Sequence, residues 1–179
     1  VDYRVPNQNQ CKECHLKSDA IMPIGPKSRN LNFSIQYEEK LANQISFWME
    51  KEIVENHVPL DLIVNWSDDA APLTAKARAY LDINCGHCHM PGGSADTTGL
   101  NLNLTETEDR KIGIYKKPVA AGRASEGMKF SIVPGKPNES ILLHRMDSLD
   151  PGVMMPESGR KLSHSEGVAL INDWIISLK

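Results

Sequence analysis

All four cysteines of this chain fall in two copies of one pentapeptide, Cys11-Lys-Glu-Cys14-His15 and Cys85-Gly-His-Cys88-His89. C-x-x-C-H is the attachment signature of a c-type haem. The spacing has a chemical reason. Two thiols three residues apart on a helical turn can each add to one vinyl group of a haem. The histidine directly after the second thiol then lies under the iron as its proximal ligand. Both copies are complete and no cysteine is left over. The expectation is two covalently attached c-type haems, on Cys11 and Cys14 and on Cys85 and Cys88, with His15 and His89 as axial ligands.

A haem in each half bears on what the rest of the chain has to supply. Of 179 residues 40% are hydrophobic but only 6% aromatic, with three Trp, three Phe and four Tyr. That is thin for two independent cores, and a large apolar porphyrin would reduce the demand. The net charge is −3, and no cluster of Lys and Arg forms the basic stripe that nucleic-acid binding calls for. No apolar run approaches the roughly 20 residues that span a bilayer. The chain opens at Val1 without a charged n-region or an apolar h-region, so any export signal is expected to be absent from this sequence. If the motifs hold haem, attachment takes place outside the cytoplasmic membrane, and a periplasmic or secreted location follows.

The order of patterns predicts a mostly α protein in two parts. Residues 1–70 form a smaller, atypical haem-binding segment and residues 71–179 a helical haem-binding domain. In the first part, the first ten residues read as an extended arm. The stretch Ile21-Met22-Pro23-Ile24-Gly25-Pro26 cannot be helical. Leu41, Ile45, Trp48, Met49 and Ile53 lie at helical spacing within an amphipathic helix from Tyr37 to about Asn56, capped near Ser34. Trp66 to Pro72 reads as a linker. In the second part, a helix runs from Leu73 to Asn84 into the second motif. Residues 92–135 read as a long insertion with a small β-ribbon, its strands at 100–104 and 129–133. A helix opened by Asn138 runs to Met146, and an extended loop follows from Asp150 to Pro156. A terminal helix opens with Ser163-x-x-Glu166, a capping box, and buries Val168, Ile171, Ile175 and Leu178, with Leu170 and Trp174 beside them.

A sulfur donor is needed opposite His89, and Met155 is the expected one. It precedes Pro156, which keeps the loop from folding back into helix, and His/Met ligation raises the reduction potential relative to two imidazoles. Met154 is its rival. At the first motif the distal ligand stays open among Met22, Met49, His57 and an iron without a protein ligand, with Met22-Pro23 favoured for its likeness to Met155-Pro156. His87, at an x position, reads as a surface residue, as do His144 and His164. Arg123, Lys129, Arg145 and Arg160 are candidates to neutralise haem propionates, Arg160 foremost because it is near the methionine loop.

The order helix, C-x-x-C-H, loops, Met-Pro, terminal helix is similar to that of a class I cytochrome c domain. Several stretches resemble a family of bacterial secreted dihaem c-type cytochromes. They are Val5-Pro-Asn-Gln-Asn-Gln-Cys11, Pro23-Ile-Gly-Pro-Lys-Ser-Arg-Asn-Leu-Asn32, Ala77-Arg-Ala-Tyr-Leu-Asp-Ile-Asn-Cys85, Ile132-Val-Pro-Gly-Lys-Pro137 and Met155-Pro-Glu-Ser-Gly-Arg160. The C-terminal part is also similar to cytochrome domains of large planctomycete-type proteins. The resemblance implies two haems, an exported protein and transient redox protein partners.

Two other readings compete. A dihaem enzyme such as a peroxidase needs one open iron position and an adjacent acid–base group, for which His57, Glu52 or Glu55 could serve. A zinc module could use the two Cys-x-x-Cys pairs as a Cys₄ site, but leaves the histidine after each pair without a role. A thioredoxin-like role lacks its βαβ context.

Overall fold

The computed structural model describes residues 2, 3, 5–55 and 62–179. Its first helix, α1 (Gln8–His15), carries the first motif. Asn7 starts it: the Asn7 side chain accepts the N–H groups of Asn9 and Gln10, and the Gln10 side chain accepts the N–H of Asn7. This reciprocal capping box corrects the extended arm, which ends at residue 7. Two-residue strands β1 (Leu16–Lys17) and β2 (Ala20–Ile21) pair antiparallel across Ser18 and Asp19, both at positive φ. The short helix α2 (Ser28–Leu31) follows.

The long helix expected from Tyr37 is absent. Strands β3 (Ser34–Gln36) and β4 (Leu41–Asn43) form a hairpin with Ile35 opposite Ala42. Helix α3 covers only Gln44–Glu50. The Asn43 side chain accepts the Ser46 N–H and starts this helix seven residues later than the periodicity suggests. Of the apolar face, Ile45 is buried while Leu41 and Ile53 are largely exposed. Tyr37 stacks on Phe47 at 3.9 Å, so the hairpin folds onto α3 and does not extend it. Ile45 is the single buried apolar side chain before residue 71 among the described residues.

The remaining helices are α4 (Leu73–Asn84), α5 (Asp109–Ile112), α6 (Ile141–Asp147) and α7 (Ser165–Ser177). The core lies among α4, α6 and α7 and the loops between them. Ala77, Tyr80 and Leu81 meet Ile171, Trp174 and Ile175, with Leu102, Ile112, Ile132, Leu143 and Met146 closing the sides. Helix α4 keeps its expected bounds. Gly167 is the close-approach point between α4 and α7, because a Cβ there would run into the Tyr80 ring.

Other boundaries differ. The capping box of Ser163 does not form: α7 begins after His164 without a side-chain cap, and the Ser165 hydroxyl donates to Glu166. Its buried face is Gly167, Leu170, Ile171, Trp174 and Ile175, leaving Val168 and Leu178 half-buried at its margin. Helix α6 opens at Ser140, after a 3₁₀ turn at Pro137–Glu139, and not at Asn138. The β-ribbon reduces to isolated bridges, Ile114 with Ile132 and Phe130 with Ser140. Gly113, Gly122 and Gly127, all at positive φ, interrupt any ladder. Leu102 and Ile132 serve there as core plugs. The linker is tied down: Trp66 packs edge-on against Tyr80 and His164.

The N-terminal segment lies on the α-helical part through a buried carboxylate. Asp82 of α4 is fully buried. Arg29 donates to both its oxygens at 3.1 and 2.7 Å, Lys27 donates at 2.8 Å, and the Leu104 N–H donates at 3.0 Å. Burial alone would raise the Asp82 pKa, but these hydrogen bonds and the Lys27 charge outweigh it and hold the carboxyl below its ordinary value.

Candidate functional site

The second motif leaves α4 without a break. The Cys85 N–H bonds back to Leu81, and the His89 N–H to Cys85, so Cys85, Cys88 and His89 stay on one coiled turn. Gly86 is required by that turn. A Cβ would stand 2.8 Å from the Asp82 carbonyl and 3.3 Å from that of Leu102, both backbone atoms that cannot swing away.

Beside the turn lies an apolar cavity of about 220 Å³. Cys85, Cys88, His89 and Met155 all line it, together with Leu100, Ile112, Ile132, Leu142 and Arg145. Met154 is buried and does not line it. The loop that carries Met155 is fixed to α6. The Met155 N–H donates to the Arg145 carbonyl at 2.9 Å, and the Arg145 side chain donates to Val153 at 2.8 Å. Arg160 donates to the carbonyls of Met146, Arg145 and Ser148, capping the end of α6. Its guanidinium is thus engaged in holding the loop. Arg145, which also pairs with Glu157 at 3.2 Å, is the arginine of the four candidates that lines the cavity, whereas Arg123 is paired with Asp150 outside it.

Hydrogen bonding assigns the His89 tautomer. The Thr98 hydroxyl donates its one proton to Ala95 at 2.7 Å, so at 3.2 Å it accepts from His89 Nδ1. Nε2 therefore carries the lone pair, which is the arrangement of a metal-binding imidazole oriented by a neighbour. Burial lowers the His89 pKa and favours the neutral ring. Thr98 has no sequence signature, and only the chain reversal through 93–98 brings it to the imidazole.

At the first motif, His15 Nδ1 lies 3.0 Å from the Met22 carbonyl, which can only accept, so again Nε2 is free. The Met22 N–H returns a bond to the His15 carbonyl at 2.7 Å. Met22 thus meets His15 through its backbone, on the Nδ1 side of the ring, and its residue is 48% exposed. This backbone contact fixes the His15 ring from its Nδ1 side. Met49 is half-buried on α3, and His57 lies outside the described residues. Cys11 is exposed on α1.

The two motifs are neighbours. Cys14 lines the same cavity as Cys88, and the donor atoms of Cys14, His87 and Cys88 lie within 4.8 Å of one another. This corrects the reading of His87 as a surface residue: its Nδ1 is buried and has no hydrogen-bond partner. As free thiols, Cys14 and Cys88 share a hydrogen bond that raises the pKa of Cys14 and lowers that of Cys88. Burial, with the Cys88 charge, pushes the Cys85 thiol up to about 12. His144 is partly covered, near Glu126 at 3.8 Å. His164 is half-exposed and hydrogen-bonded to the Tyr80 hydroxyl at 3.0 Å.

These residues fit a c-type haem in their chemistry: two thiols, a neutral imidazole with a free Nε2, a thioether side chain, one arginine and apolar walls around a single cavity. No protein-family model, curated protein or solved structure matches the chain.

Proposed function

We propose that this chain is a dihaem c-type cytochrome that carries single electrons between redox protein partners in the periplasm or outside the cell. The observation that carries the proposal is the convergence of Cys85, Cys88, His89 and Met155 on one apolar cavity, from segments that lie far apart in sequence. A bound haem supplies a one-electron Fe(III)/Fe(II) couple. Cys85 and Cys88 would fasten it, His89 and Met155 would hold its iron, and Arg145 would offset propionate charge. The Leu100, Ile112, Ile132 and Leu142 walls exclude water, which limits the charge reorganisation that accompanies each electron. Cys11, Cys14 and His15 would hold the other group, on α1. No helix among the described residues is long and apolar enough to cross a membrane.

A second reading has its own observation. The Cys14, His87 and Cys88 cluster offers two sulfurs and one nitrogen, a donor set suited to a soft or borderline metal ion such as zinc. It leaves His15, His89, Met155 and the cavity without a purpose, and it uses one cysteine from each motif where the sequence supplies pairs.

A pyridine haemochrome spectrum with protein quantified in parallel separates the two. Two c-type haems per chain are expected. A colourless, zinc-containing protein would sink the cytochrome reading. Carbon monoxide added to the reduced protein should leave the spectrum unchanged, and binding at one haem would move the assignment to a ligand-binding enzyme such as a peroxidase.

A further inference from the structure

We infer that this chain, with its cysteines free, binds one zinc ion between its two motifs, held by the sulfurs of Cys14 and Cys88 and a ring nitrogen of His87. The site goes beyond the cytochrome reading and does not rest on it. It belongs to the chain with four free cysteines, because a haem fastened to either motif would take one of its sulfurs. The donor atoms of the three side chains lie within 4.8 Å of one another, and among the described residues no other three His, Cys, Asp or Glu side chains come together in this way. Tetrahedral zinc, with bonds of about 2.3 Å to sulfur and about 2.0 Å to nitrogen, sets its ligand atoms roughly 3.5–3.8 Å apart. Small side-chain rotations therefore suffice to close the triangle around the ion.

The donor set selects the ion. Two thiolates and an imidazole suit zinc, whereas magnesium and calcium seek oxygen ligands. The two thiolate charges also balance the double positive charge of the ion, which favours a half-buried position. Both sulfurs bind as thiolates, so the protons they carry leave to solvent and the imidazole stays neutral. Three protein donors leave the fourth corner of the tetrahedron to water. His87 supplies an independent observation. Its Nδ1 is buried without a hydrogen-bond partner, so the ring keeps an unsatisfied polar atom at the junction. The two sides of the site are held in place before any ion arrives. The Glu13 carbonyl, adjoining Cys14, accepts the Ser94 hydroxyl at 2.5 Å and lies 3.5 Å from the Cys88 sulfur. The Glu13 carboxylate accepts the Ser158 hydroxyl at 2.7 Å and stays out of the donor set. The Ser18 N–H donates to Gly92 at 2.9 Å, and Lys17 bridges to Gly93. Gly92 is at positive φ, and a Cβ there would stand 2.8 Å from the Ser18 hydroxyl oxygen. With both segments already fastened, little ordering opposes binding.

The test is a zinc titration of the full-length, haem-free chain with reduced thiols, read by competition with a chromophoric chelator. One zinc ion per chain is expected. Cys14→Ser and Cys88→Ser should each lower the affinity more than about 100-fold, beyond the loss of an outer-shell partner, and His87→Ala should lower it at least about 10-fold. The Cys11→Ser/Cys85→Ser and His15→Ala/His89→Ala double variants should bind zinc as wild type does. Far-UV circular dichroism on each variant checks that its helices persist. No zinc, two zinc ions per chain, or loss of binding in either double variant would overturn the inference. A second measurement needs no variant. Cobalt(II) added to the wild-type chain should give sulfur-to-metal charge-transfer absorption with the intensity of two thiolates, abolished by one equivalent of zinc. The intensity of four thiolates, or no such absorption, would overturn the inference. The haem count of the exported protein is a separate measurement on a separate sample. Failure to bind zinc leaves that count standing, and a count of zero haems leaves the zinc site standing.

Discussion

Thr98 and Met155 illustrate how single side chains set the properties of the cavity. By accepting the Nδ1 proton of His89, Thr98 increases the electron donation of Nε2, which in the proposed haem site would favour the more highly charged iron. Thr98→Val removes the acceptor, so the potential of the second haem should rise relative to wild type in a redox titration, with haem content unchanged. Met155→Ala should remove the sulfur–iron charge-transfer band of the oxidised protein and open that haem to carbon monoxide. Met154→Leu, a buried swap of similar volume outside the cavity, should leave both unchanged and cost under about 1.5 kcal/mol of stability. The two methionines adjoin one another in sequence; Pro156 favours Met155, and the course of the loop past Arg145 places it, and not Met154, on the cavity. Asp82 is a titrating contact of a different kind. Its folded pKa lies below the ordinary 3.8, so its contribution is complete above that value and is lost as pH falls through the lowered folded pKa. Asp82→Asn should flatten this part of an acid-unfolding curve. At neutral pH it should cost about 3 kcal/mol, because Lys27 and Arg29 lose their counter-charge.

At the scale of elements, the α4–α7 pair carries the fold. Its crossing needs Gly167 against Tyr80, and Gly167→Ala should lower stability by about 1–3 kcal/mol through overpacking, read as a drop in the thermal midpoint. Truncating Ile171, fully buried in the same interface, to Ala should cost about 2–5 kcal/mol. Helix α4 was legible from residues Leu73 to Asn84 because its apolar spacing is decided locally and Pro72 fixes its start. Elements governed by competition were not. The helical period from Leu41 to Ile53 loses to a hairpin because Asn43 offers a cap and Tyr37 offers Phe47 a stacking partner. Ser163-x-x-Glu166 has the residues of a capping box, yet the neighbouring His164 is drawn to Tyr80 and shifts the helix start to Ser165.

Across the whole molecule, the N-terminal segment buries almost no core among its described residues and is held by the Asp82 cluster and by the Glu13 contacts. The Asp82→Asn variant should therefore loosen both Cys-x-x-Cys-His motifs together, a coupling that would be absent if the two parts folded independently. The pentapeptides by themselves carry the proposed haem chemistry, because two thiols at this spacing can fasten a haem and the histidine after them can ligate its iron. The tertiary structure alone decided which threonine orients His89, and that Met22 meets His15 through its carbonyl. It also decided that His87 lies between the motifs, and that the two motifs are neighbours at all. Those are relations between segments tens of residues apart, set by the packing of α4 on α7 and by one buried carboxylate, and no local pattern of residues encodes them.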